Sequence, residues 1–249
     1  MKAILTDTTL CTGCERCVAA CTERNELPEE VSFRWNENDG LSGHRYTSVL
    51  HLEPDEFVRK QCRHCLDPAC VAACPVGALE QTDEGAVVYD FAKCMGCRYC
   101  MMVCPFGVPR YEWDRRVPRV QKCTLCAEQI ADGGQPACTE ACPTGATIFG
   151  EREELLAEAH RRIAAEPDRY VNHVFGESEV GGTCVLTIAS IELDALFCGR
   201  KPGEEPYPEL TEKAMQAVPV AFVGMGALMG GLHWIIGRRD KLAAEPEEE

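Results

Sequence analysis

The stretch at residues 94–105, CMGCRYCMMVCP, constrains the fold of this chain more than any other feature. Its cysteines are spaced C-x2-C-x2-C-x3-C-P and lie at Cys94, Cys97, Cys100 and Cys104. Three thiolates on one tight loop can reach three irons of a single [4Fe–4S] cube, whereas the fourth, one helical turn further on, is expected to ligate a different cluster. The run therefore predicts a partner run elsewhere in the chain.

Partner runs are present, because sixteen of the 18 cysteines fall into four groups of four. In chain order, groups one to four are Cys11, Cys14, Cys17 and Cys21; Cys62, Cys65, Cys70 and Cys74; Cys94, Cys97, Cys100 and Cys104; and Cys123, Cys126, Cys138 and Cys142. Group one departs slightly from the pattern, since Thr22 stands where the other groups have proline. A disulfide framework has no need for repeated C-x2-C pairs, and structural zinc has no use for triplets followed by C-x3-C. The spacing therefore predicts iron–sulfur clusters.

The groups mark an internal repeat of strand, ligand loop and short helix that is used four times. Strand-forming residues lie at 2–6, 45–52 and 86–89. One unit is too small to stand alone, but two units with exchanged fourth cysteines make a two-cluster module of the bacterial ferredoxin kind. We therefore predict an α+β fold with two such modules in residues 1–150, held together by the clusters in place of a large apolar core.

Charge and motifs exclude several classes of function. The formal net charge of −15 argues against nucleic-acid binding, which needs a basic footprint. The sequence contains no Gly-rich nucleotide loop after a strand, no H-E-x-x-H motif and no nucleophile paired with a base. We expect the chain to move electrons and to have no catalytic site of its own.

Residues 151–213 are predicted to form a helix–strand extension followed by a linker. Residues 151–165 have a strong helical pattern, with acidic residues leading and basic residues trailing. Residues 183–189 form a plausible strand, and a stretch rich in Pro, Gly and Glu at 201–208 reads as the linker.

The composition then becomes apolar. Residues 217–236 read AVPVAFVGMGALMGGLHWII, and His233 carries the only strongly polar side chain. A helix of about 20 apolar residues spans a bilayer core of about 30 Å, so we predict one transmembrane helix over 214–237 and an acidic tail over 238–249. The alternative is a buried helix of a soluble protein, but the glycines and Trp234 near one end favour the membrane.

Flanking charges and small residues predict how this helix is used. Arg238, Arg239 and Lys241 follow it directly, so the positive-inside rule places the C-terminus in the cytoplasm and the cluster domain on the periplasmic or outer face of the cytoplasmic membrane. Gly226 and Gly230 belong to a small-residue face suited to packing on another membrane helix.

Taken together, these motifs resemble the four-cluster iron–sulfur subunit of membrane-bound respiratory oxidoreductases, of the formate dehydrogenase-N β-subunit and hydrogenase-2 types. The likeness covers nearly the whole chain. It rests on KQCRHCLDPACVAACPVGAL (60–79), CMGCRYCMMVCPFGVPRY (94–111), QKCTLC (121–126), PACTEACPTGATIFG (136–150), GGT (181–183) and the C-terminal helix.

The resemblance implies which groups exchange ligands. Groups one and four pair, as do groups two and three. The implied sets are cluster 1, Cys11, Cys14, Cys17 and Cys142; cluster 2, Cys62, Cys65, Cys70 and Cys104; cluster 3, Cys94, Cys97, Cys100 and Cys74; and cluster 4, Cys123, Cys126, Cys138 and Cys21. Some members of the family replace one cysteine and carry a [3Fe–4S] cluster, but all sixteen ligands are present here. We therefore expect four [4Fe–4S] clusters.

The resemblance also implies partners: a catalytic subunit with a molybdenum or tungsten pterin or a [NiFe] centre, and a membrane cytochrome b or quinone-reactive subunit. Two alternatives stay open, an electron-input subunit of a molybdopterin reductase of the dimethyl sulfoxide, polysulfide or nitrite type, and a stand-alone polyferredoxin carrier. The apolar helix argues against both. A zinc-binding scaffold is a third alternative, which the spacing disfavours.

Several residues outside the ligand groups have more than one interpretation. His233 is either an interfacial histidine near the headgroups or a contact near a partner's haem or quinone site. His64, within the second ligand loop, is expected to lie near the cluster or at the surface and not to ligate iron. Cys184 and Cys198 are expected to be buried free thiols, with a disulfide as the alternative. Five basic residues between groups three and four form either a patch that docks a partner or tunes a cluster, or part of a solvated loop. They are Arg110, Arg115, Arg116, Arg119 and Lys122.

Overall fold

Short strands and short helices alternate along the chain, and each cysteine group lies between them. The computed structural model describes residues 1–28, 39–52, 55–197 and 201–244. The strands are β1 (Lys2–Asp7), β2 (Thr47–Leu52), β3 (Glu56–Gln61), β4 (Leu79–Gln81), β5 (Val87–Tyr89), β6 (Arg110–Tyr111), β7 (Val120–Gln121), β8 (Thr147–Glu151) and β9 (Val185–Ile188). The helices are α1 (Arg16–Arg24), α2 (Ala69–Ala72), α3 (Tyr99–Val103), α4 (Ala127–Ala131), α5 (Ala137–Glu140), α6 (Arg152–Ala165) and α7 (Tyr207–Ala244). Single 3-10 turns lie at Thr8–Leu10, Phe91–Lys93, Glu179–Gly181 and Asp194–Leu196.

These bounds follow the predicted repeat closely. A strand precedes each ligand loop (β1, β3, β5 and β7), and a short helix carries the third cysteine of each group (α1, α2, α3 and α5). The predicted helix at 151–165 is observed as α6, one residue shorter, because Glu151 is still the last residue of β8.

The elements of groups one and four lie together, and so do those of groups two and three. The strand before group one, β1, pairs antiparallel with β8, which follows group four, and α1 packs against α5. In the same way β4 pairs antiparallel with β5, and α2 packs against α3. Each pairing therefore brings two ligand loops face to face.

The segment after group four folds back onto this framework. Strand β9 adds to β1 in parallel and completes a three-stranded sheet of order β8-β1-β9. Helix α6 covers the sheet with one apolar face, in which Leu155, Leu156, Ala159 and Ile163 are buried against residues such as Leu5 and Leu186. This satellite core of ordinary side chains is the part of residues 1–207 whose packing depends least on iron.

Helix α7 belongs to the second of two structural units, Met1–Tyr207 and Pro208–Glu249. It is 38 residues long and contains Pro219, so it extends beyond the apolar window on both sides. Its apolar side chains are exposed, including Val220 at 75% and Phe222 at 81%. Residues 207–241 are long and apolar enough to cross a membrane, and they form the single such helix in the described part of the chain.

Candidate metal centres

All four ligand loops share one backbone feature. The residue directly before the second cysteine has a positive φ in every group, and these residues are Gly13 (66°), His64 (49°), Gly96 (77°) and Leu125 (57°). This conformation turns backbone N–H groups toward the first cysteine. The N–H of Gly96 donates to Cys94 Sγ at 3.4 Å, and that of Leu125 donates to Cys123 Sγ at 3.3 Å. Each loop is thus shaped to stabilise a thiolate.

Two cavities lie inside these loops, and each is lined by three cysteines of one group and one of the partner group. The lining of the first includes Cys123, Cys126, Cys138 and Cys21. The lining of the second includes Cys94, Cys97, Cys100 and Cys74. These are the sets expected for clusters 4 and 3.

The donors at the first cavity fit an iron–sulfur cube. Gln61 lines it, and its buried Nε2 makes no hydrogen bond to the described residues. A buried amide donor without a partner is costly, and cluster sulfides are hydrogen-bond acceptors. Four thiols and an unpaired donor around one volume are the chemistry that a [4Fe–4S] cluster requires.

The structure also brings together cysteines of the other two expected sets. Cys11 lies near Cys142, and Cys65 lies near Cys104. Burial, followed by the repulsion of these neighbouring thiolates, raises the pKa of both Cys11 and Cys65.

Most of the thiols are strongly protonated when no iron is bound. Burial, and then the neighbouring thiols, raise the pKa of Cys21 and Cys70 to about 12 and that of Cys100 to about 11. Iron binds the thiolate, so cluster assembly at neutral pH must release these protons.

Cys74 and Cys142 behave differently, because each accepts hydrogen bonds from backbone N–H groups of the turn that follows it and is less deeply buried than Cys104, whose pKa burial raises to about 11 despite a similar turn. Burial alone would raise the pKa of Cys74, but the backbone N–H groups of residues 76–79 outweigh it and the net pKa is lowered. The N–H of Ala78 lies 3.2 Å from the sulfur. The pKa of Cys142 is lowered in the same way. In both positions the backbone N–H groups of the turn favour the thiolate over the thiol.

The four sets form a continuous series of apolar contacts. Cys17 of group one packs in one apolar cluster with Cys138 of group four. Cys123 of group four shares a second apolar cluster with Cys62 of group two, and Cys70 of group two shares a third with Cys100 of group three. The spatial order of the ligand sets is therefore 1, 4, 2, 3.

The basic patch expected from Arg110 to Lys122 is not a single surface, and that prediction is wrong for two of its five members. Arg110 is buried in an ion pair with Asp39 at 2.5 Å. Lys122 is buried and donates to the backbone oxygens of Val87 and Cys123. Charge alone could not reveal this, because internal acceptors for both cations come from distant parts of the chain. Arg115 and Arg116 are exposed, and Arg119 is half-buried.

His64 is fully buried and does not lie at the surface. Its Nδ1 accepts a hydrogen bond from the N–H of Val87 at 2.9 Å. Burial, and then the charge of Lys122, hold its pKa well below the usual value, so the ring is neutral. Its proton is therefore on Nε2, which makes no hydrogen bond to the described residues.

Cys184 is a buried free thiol, as expected, and burial raises its pKa to about 11. Cys198 lies outside the described residues. His233 is exposed on α7. Sequence reasoning missed Arg59 and Gln61 on β3, whose one signal is a charged and polar strand, EFVRKQ, directly before a ligand loop.

Comparison with known proteins adds two family matches and several curated relatives. Residues 55–152 and residues 10–79 each match a 4Fe-4S dicluster domain. The hydrogenase-2 operon protein HybA of Escherichia coli O157:H7 is 38% identical over 236 residues, which cover 78% of this chain and 71% of that protein. The nitrate-inducible formate dehydrogenase iron-sulfur subunit of Escherichia coli K12 is 34% identical over 265 residues, covering 99% and 89%. The formate dehydrogenase-O iron-sulfur subunit of the same strain is 37% identical over 247 residues, covering 90% and 79%.

Proposed function

This chain belongs to the family of 4Fe-4S dicluster iron–sulfur subunits and carries four [4Fe–4S] clusters, and we propose that these form a relay between a catalytic subunit and a membrane partner. When bound, the clusters supply one-electron redox chemistry. The chain's own residues hold them in line, tune their potentials and exclude water. It has no catalytic site of its own in this proposal.

The observation that carries the proposal is the continuous series of contacts between ligand sets. Cys17 with Cys138, Cys123 with Cys62, and Cys70 with Cys100 are the three links. Ligand sets that share an apolar cluster lie next to each other, which would keep successive iron–sulfur clusters within reach of electron transfer, so we infer the order 1, 4, 2, 3.

The ligand sets of this relay are those that the exchange between groups implies. Each cluster takes three cysteines from one group and the fourth cysteine of the partner group. Support comes from the two cavities that combine cysteines in this way and from the proximity of Cys11 to Cys142 and of Cys65 to Cys104.

Both ends of the series reach the surface. In group one Cys14 is itself exposed, and beside the cavity of group three Met95 and Tyr99 are exposed at 66% and 54%. Electrons would enter at one end and leave at the other. The names of the relatives favour formate dehydrogenase or hydrogenase as the catalytic partner.

We further propose that α7 spans the cytoplasmic membrane once and binds a cytochrome b or quinone-reactive subunit. Exposed apolar side chains along its length support this, since lipid or another membrane helix would cover them. Arg238 lies 5.6 Å from the ring of Trp234, a pair suited to the membrane interface. The positive charges that follow the apolar stretch, Arg238, Arg239 and Lys241, favour a cytoplasmic C-terminus and a cluster domain on the outer face of the membrane. His233 would then lie near the partner's haem or quinone site.

The relay is tested in the intact complex with Cys62→Ala, which removes a ligand of an inner cluster. Quinone reduction should fall by more than tenfold, while substrate oxidation with a dye that accepts electrons at the catalytic subunit is retained. Cys184→Ala, a buried cysteine outside the groups, is the matched control and should leave both rates unchanged. Full quinone reduction by Cys62→Ala would refute the relay.

Two further measurements test the partners. Nickel in the co-purifying complex would indicate a hydrogenase, and molybdenum or tungsten a formate dehydrogenase or a relative. Release of the chain from membranes by high salt or carbonate would refute the spanning helix and favour a soluble carrier.

A further inference from the structure

Arg59 is a buried cation at the centre of the cluster domain. It lies on β3 opposite Val49, and only 4% of its surface is exposed. A buried guanidinium is strongly destabilising unless an anion or several acceptors surround it.

Other buried cations have oxygen acceptors in the protein, whereas the groups beside the guanidinium of Arg59 are cysteine thiols. Lys60 and Arg110 share Asp39, at 3.4 Å and 2.5 Å. Arg63 donates to Thr187 Oγ1 at 3.1 Å and to the backbone oxygen of Phe175 at 3.2 Å. By contrast Nε, NH1 and NH2 of Arg59 are all buried, and none makes a well-formed hydrogen bond to any described residue.

The guanidinium of Arg59 faces two ligand sets at once. It lies beside the thiols of Cys17 and Cys138, which belong to the sets expected for clusters 1 and 4. It also attracts further thiolates of both sets, namely Cys11, Cys21, Cys123 and Cys126. The sulfur atoms of clusters 1 and 4 would therefore supply the hydrogen-bond acceptors that the guanidinium of Arg59 lacks.

We propose that Arg59 is the shared counter-charge of clusters 1 and 4, and that its N–H groups donate to the sulfur atoms of both. Arginine suits this position because its planar fork presents five donors in several directions, whereas lysine is a point charge. A cluster becomes more negative on reduction, so a fixed cation beside it favours the reduced form and raises its reduction potential. The two clusters would thereby be tuned together. This inference rests on the proposed ligand pairing.

The test is a redox titration of the purified holo-complex, followed by electron paramagnetic resonance, for Arg59→Gln and Arg59→Lys. Variants Cys14→Ala and Cys126→Ala first identify the signals of clusters 1 and 4. At a fixed potential, Arg59→Gln should lower the ratio of reduced to oxidised cluster by at least about tenfold for each of these two clusters. For a one-electron couple, this change corresponds to a fall in midpoint potential of about 59 mV. Arg59→Lys keeps the charge and should shift both clusters less. Arg152→Gln is the matched control, because Arg152 is buried but donates to the backbone oxygens of Thr183 and Glu177.

Several outcomes would overturn the proposal. Unchanged midpoint potentials in Arg59→Gln would do so, as would a shift confined to one cluster or to clusters 2 and 3. If Arg59→Gln loses clusters 1 and 4 while Arg59→Lys retains them, the counter-charge is supported. If both variants lose them equally, the role is packing and the proposal fails. Failure of the relay itself is a separate result, seen as unchanged quinone reduction in Cys62→Ala.

Discussion

Replacing Cys74 tests the exchange of ligands most directly. In the sequence Cys74 completes group two, yet its side chain lines the cavity formed by Cys94, Cys97 and Cys100. Cys74→Ala should therefore damage the cluster of group three and leave that of group two intact. The substitution also leaves the N–H of Ala78 without the sulfur that it contacts at 3.2 Å, a loss of about 1–3 kcal/mol if water does not replace it.

The iron content per chain measures how much of a cluster each substitution removes. Four [4Fe–4S] clusters hold about sixteen irons per chain, so complete loss of one cluster leaves about twelve, and conversion to a [3Fe–4S] cluster leaves about fifteen. Cys74→Ala should fall between these two values. If Cys74 and Cys97 serve one cluster, the double variant of these residues loses no more than that cluster and retains about twelve irons. Cys74→Ala combined with Cys65→Ala should damage two clusters, so the iron lost by this double variant should equal the sum of the losses in the two single variants.

The assay measures iron and acid-labile sulfide per chain in anaerobically purified protein. The electron paramagnetic resonance spectrum identifies which cluster is altered. Cys184→Ala is the control and should keep about sixteen irons. The exchange is refuted if the iron losses of Cys74→Ala and Cys65→Ala fail to add in the double variant while those of Cys74→Ala and Cys97→Ala do add.

Three other perturbations have expected outcomes. Raising the pH should speed cluster assembly, because iron binds the thiolate and a cysteine of the unfolded iron-free chain has a pKa of about 8.5; reconstitution followed near 400 nm should be faster at pH 9 than at pH 7, with equal rates counting against it. Gly96→Ala should destabilise cluster 3, because the φ of Gly96 is +77° and the new Cβ would lie 2.8 Å from Tyr111 Oη. Gly133→Ala is the control: its φ is +80° but the space around it is open, so it should carry only the backbone cost of about 1 kcal/mol. Equal iron loss in both variants would contradict the steric argument. Removing iron with a chelator should abolish native circular dichroism of residues 1–197, and an unchanged spectrum would refute the coupling of folding to cluster binding.

Local features of the cluster domain were predictable because they depend on neighbours in the sequence. The cysteine spacing specifies the ligand loops, and a short helix carries the third cysteine of each group; strand β3 before group two and helix α4 within group four were not predicted. Helix α6 was readable, since its apolar residues recur at helical spacing and its first turn is acidic. The same reasoning failed for Arg110 and Lys122, because whether such a cation is buried depends on acceptors such as Asp39 and the backbone oxygen of Val87 that lie far away in the chain.

The sequence by itself determined that this protein binds four iron–sulfur clusters and which sixteen cysteines are available to hold them, because a thiolate loop needs only a few adjacent residues. Only the tertiary structure decided which ligand sets touch and which buried charges face them. The shared apolar cluster of Cys123 and Cys62, and the position of Arg59 beside Cys17 and Cys138, join residues far apart in the chain. Such neighbours depend on how distant segments pack, as where β1 pairs with β8, and no local spacing encodes that packing.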